Sequence, residues 1–271
     1  MGQSWKWSLR EALSIIKLTY ADDWGRGAKE RAAFLENRSI SEIDHSDVTG
    51  LQAGNGDRAV IFIHGSPANA MRWASYLKTV PSEYKYISID RMGFGKRKNQ
   101  APDLEKDLKI LSEYIAQFNK PILVAHSLAG ALVLRLAAQN KLGGVVLVAS
   151  SLDPVLEKML FVQKLATYPP ISWLLSKSVR HSNIEMAQLQ KFMEVSEADL
   201  NKITASTHIV HPKDDNLVSH AHVAYAKNNL VSVNHMQITE PDEGGHSIPW
   251  THQDLIMDAI KSVSAPMVEA A

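Results

Sequence analysis

A serine, two adjacent aspartates and a histidine carry the chemistry that can be read from this chain. Ser127 stands in "AHSLAG", at the end of the apolar run Ile122–Ala125 and directly before a helix-like Leu/Ala pattern. Asp214 and Asp215 follow the run Thr207–Val210, and His246 stands behind Gly244-Gly245 after the run Val233–Thr239. A serine hydroxyl is a weak nucleophile at neutral pH and attacks a carbonyl carbon well only when a neighbouring base takes its proton. Histidine suits that role, because its proton affinity lies near working pH and it can return the proton to a leaving group. A carboxylate on the far ring nitrogen fixes the tautomer and stabilises the imidazolium. Ser127 alone reads equally as a helix N-cap at the start of Leu128–Gln139. The order Ser, Asp, His at the ends of three separate apolar runs favours the nucleophile.

The elements that must position these residues alternate along the chain. "RAVIFIHG" (Arg58–Gly65) reads as a buried strand entered from the turn-forming "GNGD", and "YKYISID" (Tyr84–Asp90) as another. "MRWASYLKTV" reads as a helix, and "DLEKDLKILSEYIAQF" (Asp103–Phe118) as a strongly periodic one. The strand Ile122–Ala125 and its helix follow, then "GGVVLVAS" (Gly143–Ser150). Continuous Val, Ile and Leu strands with helices between them imply an α/β fold, with a parallel sheet covered on both faces. Between Leu152 and about Ile203 the pattern is helical, with "TYPP" as an interruption and Ser182 as a capping serine ahead of an apolar stripe. Strand–helix alternation then resumes with "THIVHP", "SHAHVAYAKNNL" and "VNHMQITE", and a last helix runs from about Trp250 to Ser264. This organisation divides the chain into an N-terminal helical segment (1–47), a core (48–151 and 203–271) and an inserted helical cap (152–202). In an open parallel sheet, ligands gather beyond the carboxyl ends of the strands. Serine, acid and histidine all arrive there, together with His64-Gly65-Ser66-Pro67 and Asp90-Arg91-Met92-Gly93-Phe94-Gly95.

With "HGSP", "DRMGFG", "AHSLAG", "PKDDNLV" and "GGHSIPW" in this order, the sequence resembles the α/β-hydrolase family from about Val60 to Ile260, the cap excepted. The resemblance implies an α/β-hydrolase fold: a mostly parallel central sheet, helices on both faces and a small inserted cap. It implies Ser127 as nucleophile, His246 as general base and Asp215 as orienting acid, since the family's acid usually stands three residues before a valine, here Val218. Asp214 and Asp153 stay open as alternative acids. The family's usual elbow has glycine two residues either side of the serine; here both positions, 125 and 129, hold alanine. The elbow needs small neighbours because strand and helix approach closely, so Ala125, Ala129 and Gly130 predict a tighter turn. The backbone N–H of Leu128, at a helix start, fits one oxyanion donor by geometry and dipole. By resemblance the other is the N–H of Ser66, and Pro67 has none to offer. Dehalogenases and epoxide hydrolases of this fold need aspartate where Ser127 stands. The expected activity is therefore hydrolysis of a small or medium carboxylic ester through an acyl-enzyme. Thioester, lactone, amide or carbon–carbon bond hydrolysis on the same residues, or a non-catalytic binding protein of this fold, are the alternatives.

Bulk properties exclude other classes. The 271 residues hold 29 basic and 29 acidic side chains, and this balance disfavours a nucleic-acid partner. With no Cys, disulfide, thiolate and zinc–thiolate chemistry are absent. His211, His220 and His222 raise a metal site, but His220 and His222 stand two apart in an expected helix and diverge; neither metal nor cofactor is expected. "RMGFGKRKNQ" has four bases, Arg91, Lys96, Arg97 and Lys98, but lacks the glycine and lysine pattern of a phosphate loop. It reads as a solvated loop, or as a bias toward anionic substrates at a pocket mouth. Residues Trp5, Leu9, Leu13, Ile16 and Tyr20 recur at helical spacing among basic residues. That amphipathic stretch reads as a helix packed on its own domain or a partner, as a peripheral membrane contact through residues 1–20, or as the remnant of a targeting segment, and not as a signal peptide. No run reaches the ~18–20 apolar residues of a spanning helix, and a cytoplasmic location is the expectation.

Overall fold

A computed structural model describes residues 35–36, 39–45, 47–157, 175–197 and 199–264. Eight strands form one sheet: β1 (Ser41–His45), β2 (Val48–Ala53), β3 (Arg58–Ile63), β4 (Tyr84–Asp90), β5 (Ile122–His126), β6 (Gly144–Val148), β7 (Thr207–Val210) and β8 (Met236–Thr239). The spatial order is β1-β2-β4-β3-β5-β6-β7-β8. β1 and β2 run antiparallel to their neighbours, and β3 to β8 are parallel to one another. The central strands β3, β5 and β6 are buried almost end to end, which explains their unbroken apolar sequences. Alternation divides their side chains between two cores. Ile61, Ile63, Leu123, Ala125, Val145 and Leu147 face one layer, and Val60, Phe62, Val124, Val146 and Val148 face the other.

The first layer contains α1 (Leu104–Ile115) and α2 (Ala129–Gln139), and the second contains the C-terminal part of the fold, including Ile256, Ala259, Ile260 and Val263. Asp103 caps α1, its Oδ1 accepting the Lys106 N–H at 3.0 Å, and Leu104, Leu108, Leu111 and Ile115 form the buried stripe. Between β6 and β7 lie α3 (Lys177–Glu197) and a short turn, Leu200–Lys202. α4 (His222–Asn229) joins β7 to β8. After β8, a single helical turn, Ile248–Thr251, leads into α5 (Gln253–Ser264).

Several local expectations are corrected. β1 lies inside the stretch 1–47 assigned to an N-terminal helical segment, so the sheet begins earlier; of its five residues only Ile43 is buried, a polar edge with no strong apolar signal. "MRWASYLKTV" folds as two short 3₁₀ turns, Ala70–Trp73 and Tyr76–Lys78. α3 begins at Lys177, five residues before Ser182, so Ser182 lies within the helix. The amphipathic stretch at residues 5–20 and the "TYPP" interruption lie outside the described residues.

Candidate active site

β5 ends in a sharp turn. Ser127 has φ +59°, an unusual conformation for a residue with a side chain. The turn is held on both sides: the Ser127 N–H donates to Val148 O (3.1 Å), and Ser127 O accepts from Gly130 N (2.9 Å) and Ser151 N (3.1 Å). α2 starts immediately afterwards with Leu128 as its N-cap, so the Leu128 N–H stands at the open start of a helix. Ala125 and Ala129 are fully buried. The close approach that excludes any side chain lies one residue further on. A Cβ on Gly130 would stand 2.4 Å from Ser150 Cβ. The alanines therefore leave the elbow intact, because glycine is retained where helix and β6 touch.

The two aspartates after β7 divide the work between them. Asp215 Oδ2 lies 2.9 Å from His246 Nδ1, and its Oδ1 accepts the N–H groups of Leu217 (2.9 Å) and Val218 (3.0 Å). Burial alone would raise this carboxyl. The bonds from His246, Val218 and Leu217 outweigh burial and hold it below the usual carboxylate range. Asp214 instead accepts the N–H groups of Gly244 (3.3 Å) and Gly245 (2.8 Å), fixing the loop that carries His246. Both glycines have positive φ; a Cβ on Gly245 would meet nothing within 4 Å, so that glycine serves the turn, whereas a Cβ on Gly244 would also come within 3.2 Å of Ile248 Cγ1. Asp153, the other acid considered, accepts the Val155 N–H of its own loop at 2.8 Å.

His246 is steadied from its other side. The His126 ring stands 4.6 Å from the His246 ring, and His126 Nε2–H donates to His246 O at 3.0 Å. Burial, with His246 close by, pushes the His126 imidazole well below its ordinary range, so it stays neutral. Trp250 meets His126 edge-on at 5.0 Å and donates its own N–H to Arg72 O. His126 and Trp250 carried no chemical signal in the sequence beyond their nearness to Ser127 and His246.

The other histidines have partners of their own. His211 Nε2–H donates to Val218 O at 3.0 Å. His220 faces Glu240 at 2.8 Å, ahead of α4 and not within it. His222 Nδ1 accepts the N–H groups of Leu152 (3.2 Å) and Asp153 (2.9 Å), and its Nε2 faces Glu157 at 3.2 Å. Among the described residues no cluster of His, Asp and Glu is arranged to hold a metal.

The basic run after β4 is solvated only in part: Lys96 is exposed, but the two arginines are not. Arg91 and Arg97 are buried, Arg91 paired with Glu185 of α3 and Arg97 with Asp107 of α1 at 2.8 Å. Lys96 pairs with Glu42 of β1 at 2.8 Å. The sequence counted charges and could not see the buried acids that α1 and α3 bring to them.

The sequence matches the alpha/beta hydrolase family model over residues 60–259. No curated protein matches it. Among solved structures, the chain superposes on a lipase-esterase related protein from Clostridium acetobutylicum (TM-score 0.64, 16% identity, 83% of this chain and 99% of that one). It also superposes on a monoacylglycerol lipase from Paleococcus ferrophilus (TM-score 0.60, 18% identity, 83% and 98%). A third is a haloalkane dehalogenase loop variant from Bradyrhizobium elkanii (TM-score 0.65, 15% identity, 82% and 95%). At these identities the likeness concerns the fold, which carries more than one chemistry.

Proposed function

We propose, from the premise that the chain belongs to the alpha/beta hydrolase family and is a hydrolase, that it cleaves a small or medium carboxylic ester using Ser127, His246 and Asp215. The observation that carries this reading is the Asp215–His246 contact, made by a carboxylate whose second oxygen is locked by two backbone N–H groups. Bound in that way to Nδ1–H, the imidazole keeps Nε2 as the basic nitrogen. Ser127 Oγ attacks the ester carbonyl carbon while His246 Nε2 takes its proton. The tetrahedral oxyanion rests on the N–H groups of Ser66 and Leu128, donors held in place by the backbone before the charge develops. Collapse expels the alcohol, which receives the proton from His246. Water, deprotonated by His246, then attacks the acyl-Ser127 ester and releases the carboxylic acid. No cofactor enters this sequence of steps. Serine at position 127 sets the reading apart from the dehalogenase chemistry of one structural neighbour, and lipase and esterase neighbours support an ester substrate.

Residues 152–202 we read as a cap that shelters the substrate, its described part built on α3. Among the described residues no helix is long and apolar enough to cross a membrane. The test is labelling with a fluorophosphonate probe combined with an acyl-chain-length ester series on wild type and Ser127→Ala. An adduct on Ser127, and turnover lost in the alanine variant, are expected. Folded wild-type protein that takes no adduct on Ser127 refutes the reading.

A further inference from the structure

Arg91 leaves β4 and is fully buried, a costly place for a guanidinium. Its donors account for the burial. Nε donates to His64 O at 2.8 Å, and Nη2 donates to Gly65 O at 2.9 Å. Nη1 and Nη2 also grip the two carboxylate oxygens of Glu185, the second at 3.1 Å. His64 joins the same knot: its Nε2 accepts the Arg91 N–H at 3.0 Å, which places the ring proton on Nδ1, where it donates to Gly65 O at 2.7 Å. Burial, then Arg91, push the His64 imidazole well below its ordinary range and keep that tautomer neutral.

Two carbonyls of the loop after β3 therefore point at one cation. In a trans peptide unit the C=O and the following N–H point in opposite directions, and the Gly65–Ser66 bond is not among the cis bonds of the chain. Anchoring Gly65 O on Arg91 and His64 fixes the Ser66 N–H to face away from them. The nucleophile turn is the loop's immediate neighbour: a Cβ on Gly65 would stand 2.8 Å from Ser127 Cβ and 3.1 Å from His126 O.

We propose that Arg91 is a positioning residue for the oxyanion hole, and that Glu185, on α3, ties the aim of the Ser66 N–H to the seating of that helix. This rests on the Ser127 reading above. α3 presents three polar anchors on one face, two toward the segment that leaves β4 and one toward the start of α1. His181 Nδ1 lies 2.7 Å from Gly93 O, Glu185 holds Arg91, and Gln188 accepts the Leu104 N–H at 3.0 Å. Their spacing of four and three residues is that of a single helical face. Arg91 touches neither substrate nor Ser127 in this scheme; it acts through a peptide plane. A lysine cannot reproduce the fork that holds two carbonyls and a carboxylate at once.

The test compares wild type, Arg91→Lys and the double variant Arg91→Met/Glu185→Met. Exchanging a buried ion pair for apolar residues of similar volume is often neutral or stabilising, so the double variant separates fold from aim. Four readouts apply: Tm, kcat and KM on a short p-nitrophenyl ester, the inhibition constant of a trifluoromethyl ketone that forms a tetrahedral adduct, and fluorophosphonate labelling of Ser127. Because removing one oxyanion donor costs about 10²–10³ in rate, kcat should fall by about 10²-fold in the double variant and by at least about 10-fold in Arg91→Lys. KM should stay within about threefold, and trifluoromethyl ketone affinity should fall in step with kcat, because the lost interaction belongs to the tetrahedral state. A double variant with wild-type kcat and ketone affinity overturns the proposal and leaves Arg91–Glu185 a structural pair. If that variant does not fold, Arg91→Lys decides by the same two constants. Folded wild type that takes no fluorophosphonate label removes the Ser127 reading itself, and this proposal with it.

Discussion

Replacing Asp215 by asparagine tests the site most severely, because the surrounding backbone dictates how the amide must sit. Oδ1 of Asp215 accepts two N–H groups, from Leu217 and Val218. In Asp215→Asn the amide oxygen must occupy that position, since an NH₂ group there would face two donors. The NH₂ is then forced toward His246 Nδ1, 2.9 Å away in the parent. An amide N–H pointing at Nδ1 requires Nδ1 to be the acceptor, so the ring proton moves to Nε2, the nitrogen that must take the serine proton. The same substitution in a serine protease triad costs about 10⁴ in kcat, equivalent to about 5.4 kcal/mol of transition-state stabilisation at 1.36 kcal/mol per decade. We expect a loss of that order in kcat on a p-nitrophenyl ester at pH 8. Asp214→Asn is the paired control: the exposed Asp214 holds only the backbone of Gly244 and Gly245, and an amide oxygen can still accept there. It should lose no more than about tenfold, the effect of one ordinary hydrogen bond of up to about 1.5 kcal/mol. Asp215→Asn within tenfold of wild type, or Asp214→Asn the more damaged of the two, refutes the tautomer reasoning.

Other expectations follow from the same contacts. The Asp215 carboxyl is held below its unfolded range, so between its folded value and about 3.9 the unfolded chain binds more protons and stability rises with pH. That contribution is complete above about pH 4 and disappears as pH falls through the folded value. Urea midpoints of wild type should therefore drop more steeply than those of Asp215→Asn on acidification, and equal slopes would contradict the assignment. Gly130→Ala forces a Cβ to within 2.4 Å of Ser150 and should cost about 1–3 kcal/mol by denaturant unfolding, with slower fluorophosphonate labelling of Ser127. Ala129→Gly, which restores the commoner elbow glycine, should lose about 0.5–1 kcal/mol of stability with no gain in kcat. Arg97→Met strands the buried Asp107 carboxylate and should cost about 3–5 kcal/mol, whereas Lys96→Gln, removing a surface pair, should cost no more than about 1 kcal/mol by the same measurement.

What the sequence made legible was decided by how strongly each residue's environment constrains its type. β3, β5 and β6 must be apolar on both faces, so their ends, and the groups leaving those ends, could be placed from composition alone. Ser127 and the Ser66 loop stand at such ends, Asp215 follows the equally buried β7, and His246 follows β8, whose side chains are only partly buried. β1 escaped because an edge strand with one buried side chain has no apolar period to read. The start of α3 escaped because Ser182 offers a good cap in isolation, while tertiary contacts of the 181–188 face set the helix seating. Arg91 and Arg97 were misread as solvated for a different reason. A buried cation is identifiable only through its partner: Glu185 lies far along the chain from Arg91, and Asp107, ten residues after Arg97, stands on the buried face of α1, where an isolated acid reads as a solvated one.

The three anchors on α3 also bear on how this enzyme could be altered, in the laboratory or by selection. His181, Glu185 and Gln188 are committed to the scaffold, the first two to the segment that leaves β4 and the third to the start of α1, and a change at any of them disturbs more than the helix itself. Val179 and Ile184 are partly exposed on the same helix and carry no such commitment. A library confined to positions of the second kind would vary what α3 shows to its surroundings while leaving the anchored face untouched. The anchored and the exposed positions of α3 would then be separable along one helix, residue by residue.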